Sequence, residues 1–369
     1  MQGVKGPDFA EPGRPAPAPS PDKVATPIWS GTPRDYTISM TSLDSITRIQ
    51  LMSGGYYLAR SLQVVAELGI ADFMSDEPVT AADLAKSTGS HPDALGRVLT
   101  LLSAHGVFER ADGRFRHTET SRFLRTDHPM SMRPFARMFG IPVLWQAVMR
   151  LDESVATGRP MGNEVTPGGF WVYFEQHPDA NEKFNAAMAA KARAVISLVV
   201  AAYDFTKFPR IADVGGGRGH LLQAILASSK RSHGILFDQP HVVKEAAGIA
   251  SDRLELRAGD FFADNLPEAE AFVIMEVIHD WDDEHSEKIL KAVRRAAPAG
   301  AKLVLIEAMM PDQAVPCWTN TLDVVMLNLL GGKQRSLAEY AGLLNRCGFG
   351  QVREIPVGAG HSIVEATAG

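Results

Sequence analysis

The sequence predicts an α/β protein. A doubly wound, mostly parallel sheet is closed by a C-terminal antiparallel hairpin and preceded by an N-terminal helical unit of winged-helix type. Three observations predict it. The apolar run Ile211–Val214 ends in Gly215, Gly216 and Gly217, Gly219 follows, and LLQAIL comes directly after, which reads as buried strand, tight turn and helix start. From about residue 191 onward, apolar strand runs alternate with helical patterns. Between Thr80 and His117, two capped helical patterns are followed by a run that turns at Asp112-Gly113.

With 369 residues, two domains are expected. At 45% hydrophobic residues and a net charge of −6, the composition is that of a globular protein, and no basic excess recommends a nucleic-acid partner. Cys317 and Cys347 are too few for a disulfide framework and lack metal-ligand spacing, so no metal is expected, and they suit a reduced, cytoplasmic protein. No uninterrupted apolar stretch reads as a membrane span. Residues 1–36, rich in Pro, Ala and Gly, are expected to be a disordered arm. The expected division is this arm, a helical winged-helix-like dimerisation domain with substrate-lining helices over 37–190, and a catalytic domain over 191–369.

Helical spacing begins near Asp44, with Leu51, Leu58, Leu62, Val65 and Leu68 recurring until Gly69 stops the run. Thr80 is a candidate N-cap for TAADLAKSTG. Leu95, Val98, Leu99 and Leu102 share one face of the next helix, which stops at Gly106. VFERADGRFRHT is a short hairpin. Such a unit can bind DNA, with Arg97, Arg110, Arg114 and Arg116 on phosphates, or can pack as a dimerisation module; the acidic chain favours the second. Residues 130–190 are helical and rich in large apolar groups, with a loop expected over 158–169.

After the glycine turn, HGILFD is a strand ending at Asp238, and LELRAGDFF brings a third strand to Asp260-Phe261. Phe272–Ile278 is read as a fourth, ending at His279, and AKLVLIEA as a fifth carrying Glu307. Helices are expected over the DDEHSEKIL segment, 319–330 and 336–347, and a hairpin around Gly358–Gly360. Ligands in doubly wound sheets sit at the carboxyl ends of the strands, where Asp213, Asp238, Asp260, His279 and Glu307 all fall. The G-x-G-x-G spacing departs from the G-x-G-x-x-G of dinucleotide sites and argues against a pyrophosphate. Asp238, 19 residues past Gly219, can accept from the ribose hydroxyls of an adenosine ligand.

The stretch DVGGGRG resembles motif I of class I S-adenosylmethionine (SAM) methyltransferases. FDQPHVV, GDFF, VIHDWDDEHSEKIL, IEAMMP, LDVVMLNLLGGKQRS and NRCGFG are similar, in order, to segments of the two-domain small-molecule O-methyltransferases of plants and bacteria. The likeness spans roughly residues 45–365. It implies a Rossmann-like SAM-binding sheet, a homodimer formed through the winged-helix unit, and an aromatic hydroxylated acceptor. It implies Asp213, Gly215 and Gly217 in the SAM loop, Asp238 on the ribose, Asp260 and Phe261 at the adenine, and Asp280 and Trp281 near the cofactor. It implies His279 as base with Glu307 and Gln334 flanking it. Phe184 and Met188 of FNAAM, with Met326 and Asn328, line the acceptor site; on spacing alone an aromatic–Met pair at i,i+4 is also ordinary core. Two positions depart: Met275 replaces a lysine beside the adenine, and Gln334 replaces a second flanking glutamate.

A phenol with a pKa of about 10 is little ionised at neutral pH, and a positioned histidine is a suitable base. These features suit methyl transfer to a hydroxyl. The alternatives are N- or C-methylation, a non-methylating SAM enzyme of the same fold, and a ligand-sensing winged-helix regulator.

Overall fold

A seven-stranded sheet carries the catalytic half, in the order β6-β5-β4-β7-β8-β10-β9. In this computed structural model residues 44–369 are described, so the expected arm over 1–36 lies outside the described residues. Two compact units divide at Gly55. Within the first, helix α1 (Ser45–Ser53) is capped by Asp44, whose carboxylate accepts from Ile46 N and Thr47 N at 3.0 and 2.9 Å.

The second unit, from Tyr56, takes in α2 (Gly55–Leu68) beyond its first residue, β1 (Val79–Thr80), α3 (Ala81–Thr88), α4 (Pro92–Ala104), β2 (Phe108–Ala111) and β3 (Arg114–His117). The strands pair as β1-β3-β2, so the winged-helix expectation is met by helices plus a three-stranded wing. Thr80 caps α3, accepting from Asp83 N at 3.1 Å. The wing turns at Asp112 and Gly113, both at positive φ (50° and 74°), the conformation that suits tight hairpins. Val65, Leu84, Leu95, Leu99, Leu102, Phe108 and Phe115 form its core.

A helical section follows: α5 (Glu119–Arg122), α6 (Arg133–Met138), α7 (Pro142–Val148), α8 (Leu151–Thr157), α9 (Met161–Val165), α10 (Phe170–Gln176) and α11 (Pro178–Ala202). The expected loop over 158–169 contains α9. Gly158 ends α8 in the left-handed conformation, but Met161 is 1% exposed. Gly162 lies so close to Leu329 that a Cβ would strike its carbonyl, so packing holds this turn helical where local composition favours a loop. Helix α11 is long and apolar enough to cross a membrane by length and composition, though Glu182, Lys183, Lys191 and Arg193 interrupt its apolar run. Here it packs along α6, α10 and the sheet helix α12 (His220–Ser228).

Parallel strands β4 (Arg210–Val214), β5 (His233–Asp238), β6 (Leu254–Ala258), β7 (Ala271–Met275) and β8 (Lys302–Ala308) bring their C-terminal ends to one edge. They are linked by α12, α13 (Pro240–Glu245) and α14 (Asp283–Ala296). Beyond β8 come α15 (Trp318–Leu329), α16 (Leu337–Arg346), β9 (Phe349–Gly358) and β10 (His361–Ala368). The last two form the expected hairpin, and β10 pairs antiparallel with β8. Strand β7 stops at Met275, short of the expected Ile278. Glu276 adopts φ 52°, which breaks the extended run, and Ile278–Asp280 wind into a 3₁₀ turn. His279 therefore sits on a turn beyond the strand end.

Candidate active site

A cavity of about 400 Å³ lies over the C-terminal edge of the parallel strands and under the helical section. Its polar end follows from β4 and β5. The loop after β4 runs through Gly215 and Gly217 at φ 71° and 59°, a region open to glycine at no steric cost. A Cβ on Gly216 would lie 2.5 Å from both the Asp213 carboxyl carbon and Leu236 Cδ1, whereas nothing stands within 4 Å of Gly217. The loop is thus tight against the strand and open toward the cavity. Asp238 accepts from Gly217 N at 2.8 Å and from Gln239 N at 2.7 Å. Burial raises its carboxyl, partly offset by these bonds. Asp213 is 1% exposed and neither of its oxygens has a partner. Burial first, then the Asp238 charge, push it up to about 7.

Phe261, Trp281 and Met275 line the cavity beside these groups. The Phe261 and Trp281 rings stand edge to face, 6.2 Å between centroids. Asp260 is not in the lining and is committed to its own turn. Its carboxylate accepts from Phe262 N at 2.8 Å, while its backbone N–H donates to Asp264 at 2.7 Å. A nucleoside fits this end: the open glycine loop, the Asp213 oxygens without partners and the flat aromatic pair supply room, acceptors and stacking faces.

His279, 4% exposed, stands where this end meets the rest of the cavity. Its Nδ1 lies 2.9 Å from Gln334 Nε2 and 3.5 Å from Glu307 Oε2. Neither neighbour lines the cavity, so Nδ1 points into the protein and Nε2 is left on the cavity side, 3.4 Å from Asp280 Oδ1. Burial depresses the imidazole to about 4, with Glu276 opposing and Lys191 adding to the shift. Burial also pushes Asp280 up to about 8 and Glu307 well above the carboxylate range, the latter helped by the Glu276 and Asp280 charges. At neutral pH the base is therefore unprotonated, and burial disfavours the ionised form of both carboxyls beside it. Glu307 Oε1 accepts from Ile278 N at 3.0 Å, which fixes the turn that presents His279. A base at Nε2 needs the proton on Nδ1. Turning the Gln334 amide over places Oε1, otherwise without a partner, on that Nδ1–H.

The other end of the cavity is largely apolar, with Glu175, Asn181 and Asn185 among its polar lining residues. Phe184 and Met188 project from α11, with Phe184 4.7 Å from Phe174 and 5.8 Å from Trp171 between centroids. Phe135 and Trp318 close an opposite wall edge to face at 5.5 Å, and Met326 lines it from α15. Asn328 does not line it. Its amide, buried at 3% exposure, donates to the Ala147 carbonyl at 3.0 Å and to Ser154 Oγ at 3.2 Å. It ties α15 to α7 and α8, a packing role that corrects its expected place at the acceptor.

Three residues were not singled out in the sequence. Arg335, 1% exposed, donates to the Ile278 carbonyl at 3.1 Å, the Trp281 carbonyl at 2.9 Å and Asp283 Oδ1 at 2.8 Å. It thereby locks the turn that carries His279. Gly332 permits this approach, since a Cβ there would strike the His279 carbonyl; the Gly-Gly pair before Gln334 was the available signal. Lys191 and Glu276 form an ion pair at 2.5 Å in the cavity wall. The helical face shared by Phe184, Met188 and Lys191 could have shown the lysine.

Residues 145–350 match the O-methyltransferase domain family and residues 49–127 the O-methyltransferase dimerisation domain. A phenazine O-methyltransferase of Lysobacter antibioticus is 39% identical over 85% of this chain and 94% of its own. An 8-amino-8-demethylriboflavin N,N-dimethyltransferase of Streptomyces davaonensis is 34% identical over 84% of this chain and 92% of its own. A solved O-methyltransferase from neocarzinostatin biosynthesis, in complex with SAM and 2-hydroxy-5-methyl naphthoic acid, superposes with a TM-score of 0.70. It is 31% identical and covers 85% of this chain and 96% of its own.

Proposed function

Because this chain belongs to the SAM-dependent O-methyltransferase family, we propose that its acceptor is an aromatic small molecule methylated on a ring hydroxyl, with His279 as general base. The observation that carries this is the placement of His279. Its Nδ1 is held from behind by Gln334 and Glu307, and its Nε2 faces a cavity with a nucleoside-fitting end and an aromatic end. When bound, SAM supplies a methyl group already activated by its sulfonium.

The residues of this chain do the rest. Asp238 accepts from ribose hydroxyls, Asp213 and the Gly215–Gly217 loop hold the amino-acid end, and Phe261 and Trp281 flank the base. Phe184, Met188 and Met326 clamp a flat acceptor so that its hydroxyl meets Nε2. His279 takes the hydroxyl proton, and the imidazolium so formed is stabilised by Gln334 Oε1 and, as charge develops, by Glu307. Aligning the partners in line is the larger contribution; a positioned base adds roughly 10²–10⁴-fold. Asp260 and Asn328 act through their turn and helix packing. The expected boundary near residue 190 falls inside α11 (Pro178–Ala202), which packs on both the helical section and the sheet helix α12. We propose a homodimer through the dimerisation domain, where Tyr56 and Tyr57 are 54% and 64% exposed. Light scattering giving a mass near 40 kDa would remove the dimer.

The test is radiolabelled SAM offered to a panel of phenols, naphthols and hydroxyphenazines with wild type and His279→Ala. Methylation of a hydroxyl by wild type and its loss in the variant, with SAM affinity kept, is the expected result. The N,N-dimethyltransferase relative keeps one second reading in view: if aromatic amines are methylated and His279→Ala retains full rate, N-methylation replaces hydroxyl transfer.

A further inference from the structure

A charged cluster sits in the largely apolar wall of the acceptor end. Lys191 lies on α11 one turn past Met188, and Phe184, Met188 and Lys191, spaced i, i+4 and i+7, share the face that lines the cavity. The Lys191 side chain is 13% exposed and its ammonium pairs with Glu276 Oε1 at 2.5 Å. The same carboxylate oxygen is 3.1 Å from His361 Nε2, and His361 Nδ1 is 3.0 Å from the Ala359 carbonyl.

One carboxylate does not use every donor of the ammonium. The mostly buried Lys191 ammonium has three N–H donors, and Glu276 Oε1, which also lies against His361 Nε2, answers one of them. Burial alone would raise Glu276, but Lys191 and His361 overcome it and hold it well below the carboxylate range, so it stays ionised. Donors of a mostly buried ammonium that face a cavity walled largely by Phe, Met and Trp side chains are costly to leave unanswered, and an acceptor on a ligand removes that cost.

We infer that Lys191 is a specificity-determining residue and that the aromatic acceptor carries a carboxylate, which takes the free donors of the Lys191 ammonium while the ring lies between Phe184 and Met188. This rests on the reading that the apolar end of the cavity receives the methyl acceptor. The amino-acid end of SAM also bears a carboxylate, and the experiment separates the two sources. The position of Lys191 on the helical face of α11 that carries Phe184 and Met188 favours the acceptor.

The probes are 2-hydroxy-1-naphthoic acid and its neutral carboxamide, titrated by calorimetry into the full-length protein loaded with S-adenosylhomocysteine. Wild type is expected to bind the acid at least about tenfold tighter than the amide, the scale of a charge-assisted hydrogen bond. Lys191→Met should abolish that preference and leave amide affinity within about twofold, while Lys191→Arg should restore much of it. Equal binding of acid and amide by wild type, failure of the acid to bind, or an acid preference that survives Lys191→Met would each overturn the inference. So would a variant whose SAM affinity falls while its acid preference is kept, because Lys191 then serves the cofactor. Binding is read without turnover: if the acid preference holds but neither probe is methylated, Lys191 keeps its role and the hydroxyl-transfer reading is what fails.

Discussion

The two ends of the cavity are built by different means. The cofactor end comes from consecutive strand ends: Asp213 in β4 with Gly215 and Gly217 after it, Asp238 on β5, Phe261 after β6 and Asp280 after β7. Its polar groups are short and placed by the backbone. The acceptor end is assembled from α6, α10, α11 and α15, which are separated by up to about half the chain, and it is walled by large side chains. At the first end a change of backbone matters most; at the second, a change of side-chain volume or charge. The same contrast explains why a family can keep one cofactor and vary its acceptors. The base and its supports stand at the seam, and the largest effects are expected there.

His279→Ala should lower kcat on a phenolic acceptor by at least about 10²-fold and leave SAM binding intact; equal loss of SAM affinity would show that the seam cannot be separated from the cofactor end. Asp238→Ala should weaken SAM binding by about tenfold or more, since two acceptor sites for ribose hydroxyls disappear. Acceptor affinity measured separately should stay unchanged. The converse test is Met188→Ala, expected to raise acceptor KM by up to about tenfold through lost contact area while SAM affinity holds. Parallel changes in both affinities for either variant would break the division of the cavity into two ends.

Gln334→Glu probes the seam by charge. With a carboxylate 2.9 Å from Nδ1 in place of an amide, the imidazolium is favoured and the base pKa rises from about 4. The acidic limb of kcat/KM should move to higher pH, by roughly one unit. Coincident limbs in two active enzymes would mean that the introduced carboxyl stays protonated and that charge at this place does not tune the base.

The smallest effect concerns stability. Asp213 and Asp280 have folded-state values raised to about 7 and about 8 by burial, above those of the unfolded chain. Between pH 4 and 8 the folded protein therefore holds more protons at these sites, and stability falls as pH rises. His279, depressed to about 4, acts oppositely, but only below about pH 6.5. The melting temperature without cofactor should drop by a few degrees between pH 6 and 9, and Asp213→Asn should flatten that slope. A melting temperature independent of pH in wild type would place these carboxyls in water.

What could be read from the chain alone follows from this division. The strand–glycine–helix stretch, the strand-end acids and the hairpin wing are local patterns, because period, turn chemistry and caps act over a few residues. The structure places Asp213, Gly215, Gly217, Asp238, Phe261, Asp280, Trp281, His279, Phe184, Met188 and Met326 in one cavity lining. Asp260 and Asn328 follow a motif in sequence, yet their side chains are taken by nearby partners. That choice depends on which donors fold beside them. The length of β7 was also overread, since an apolar run cannot announce the left-handed residue that ends it. Only the tertiary structure decided that Gln334 reaches His279, that Arg335 is buried against its turn, and that Lys191, Glu276 and His361 meet. Those contacts join residues 55 to 85 positions apart, and such pairings are set by how whole elements pack, with no trace in the spacing of the residues themselves.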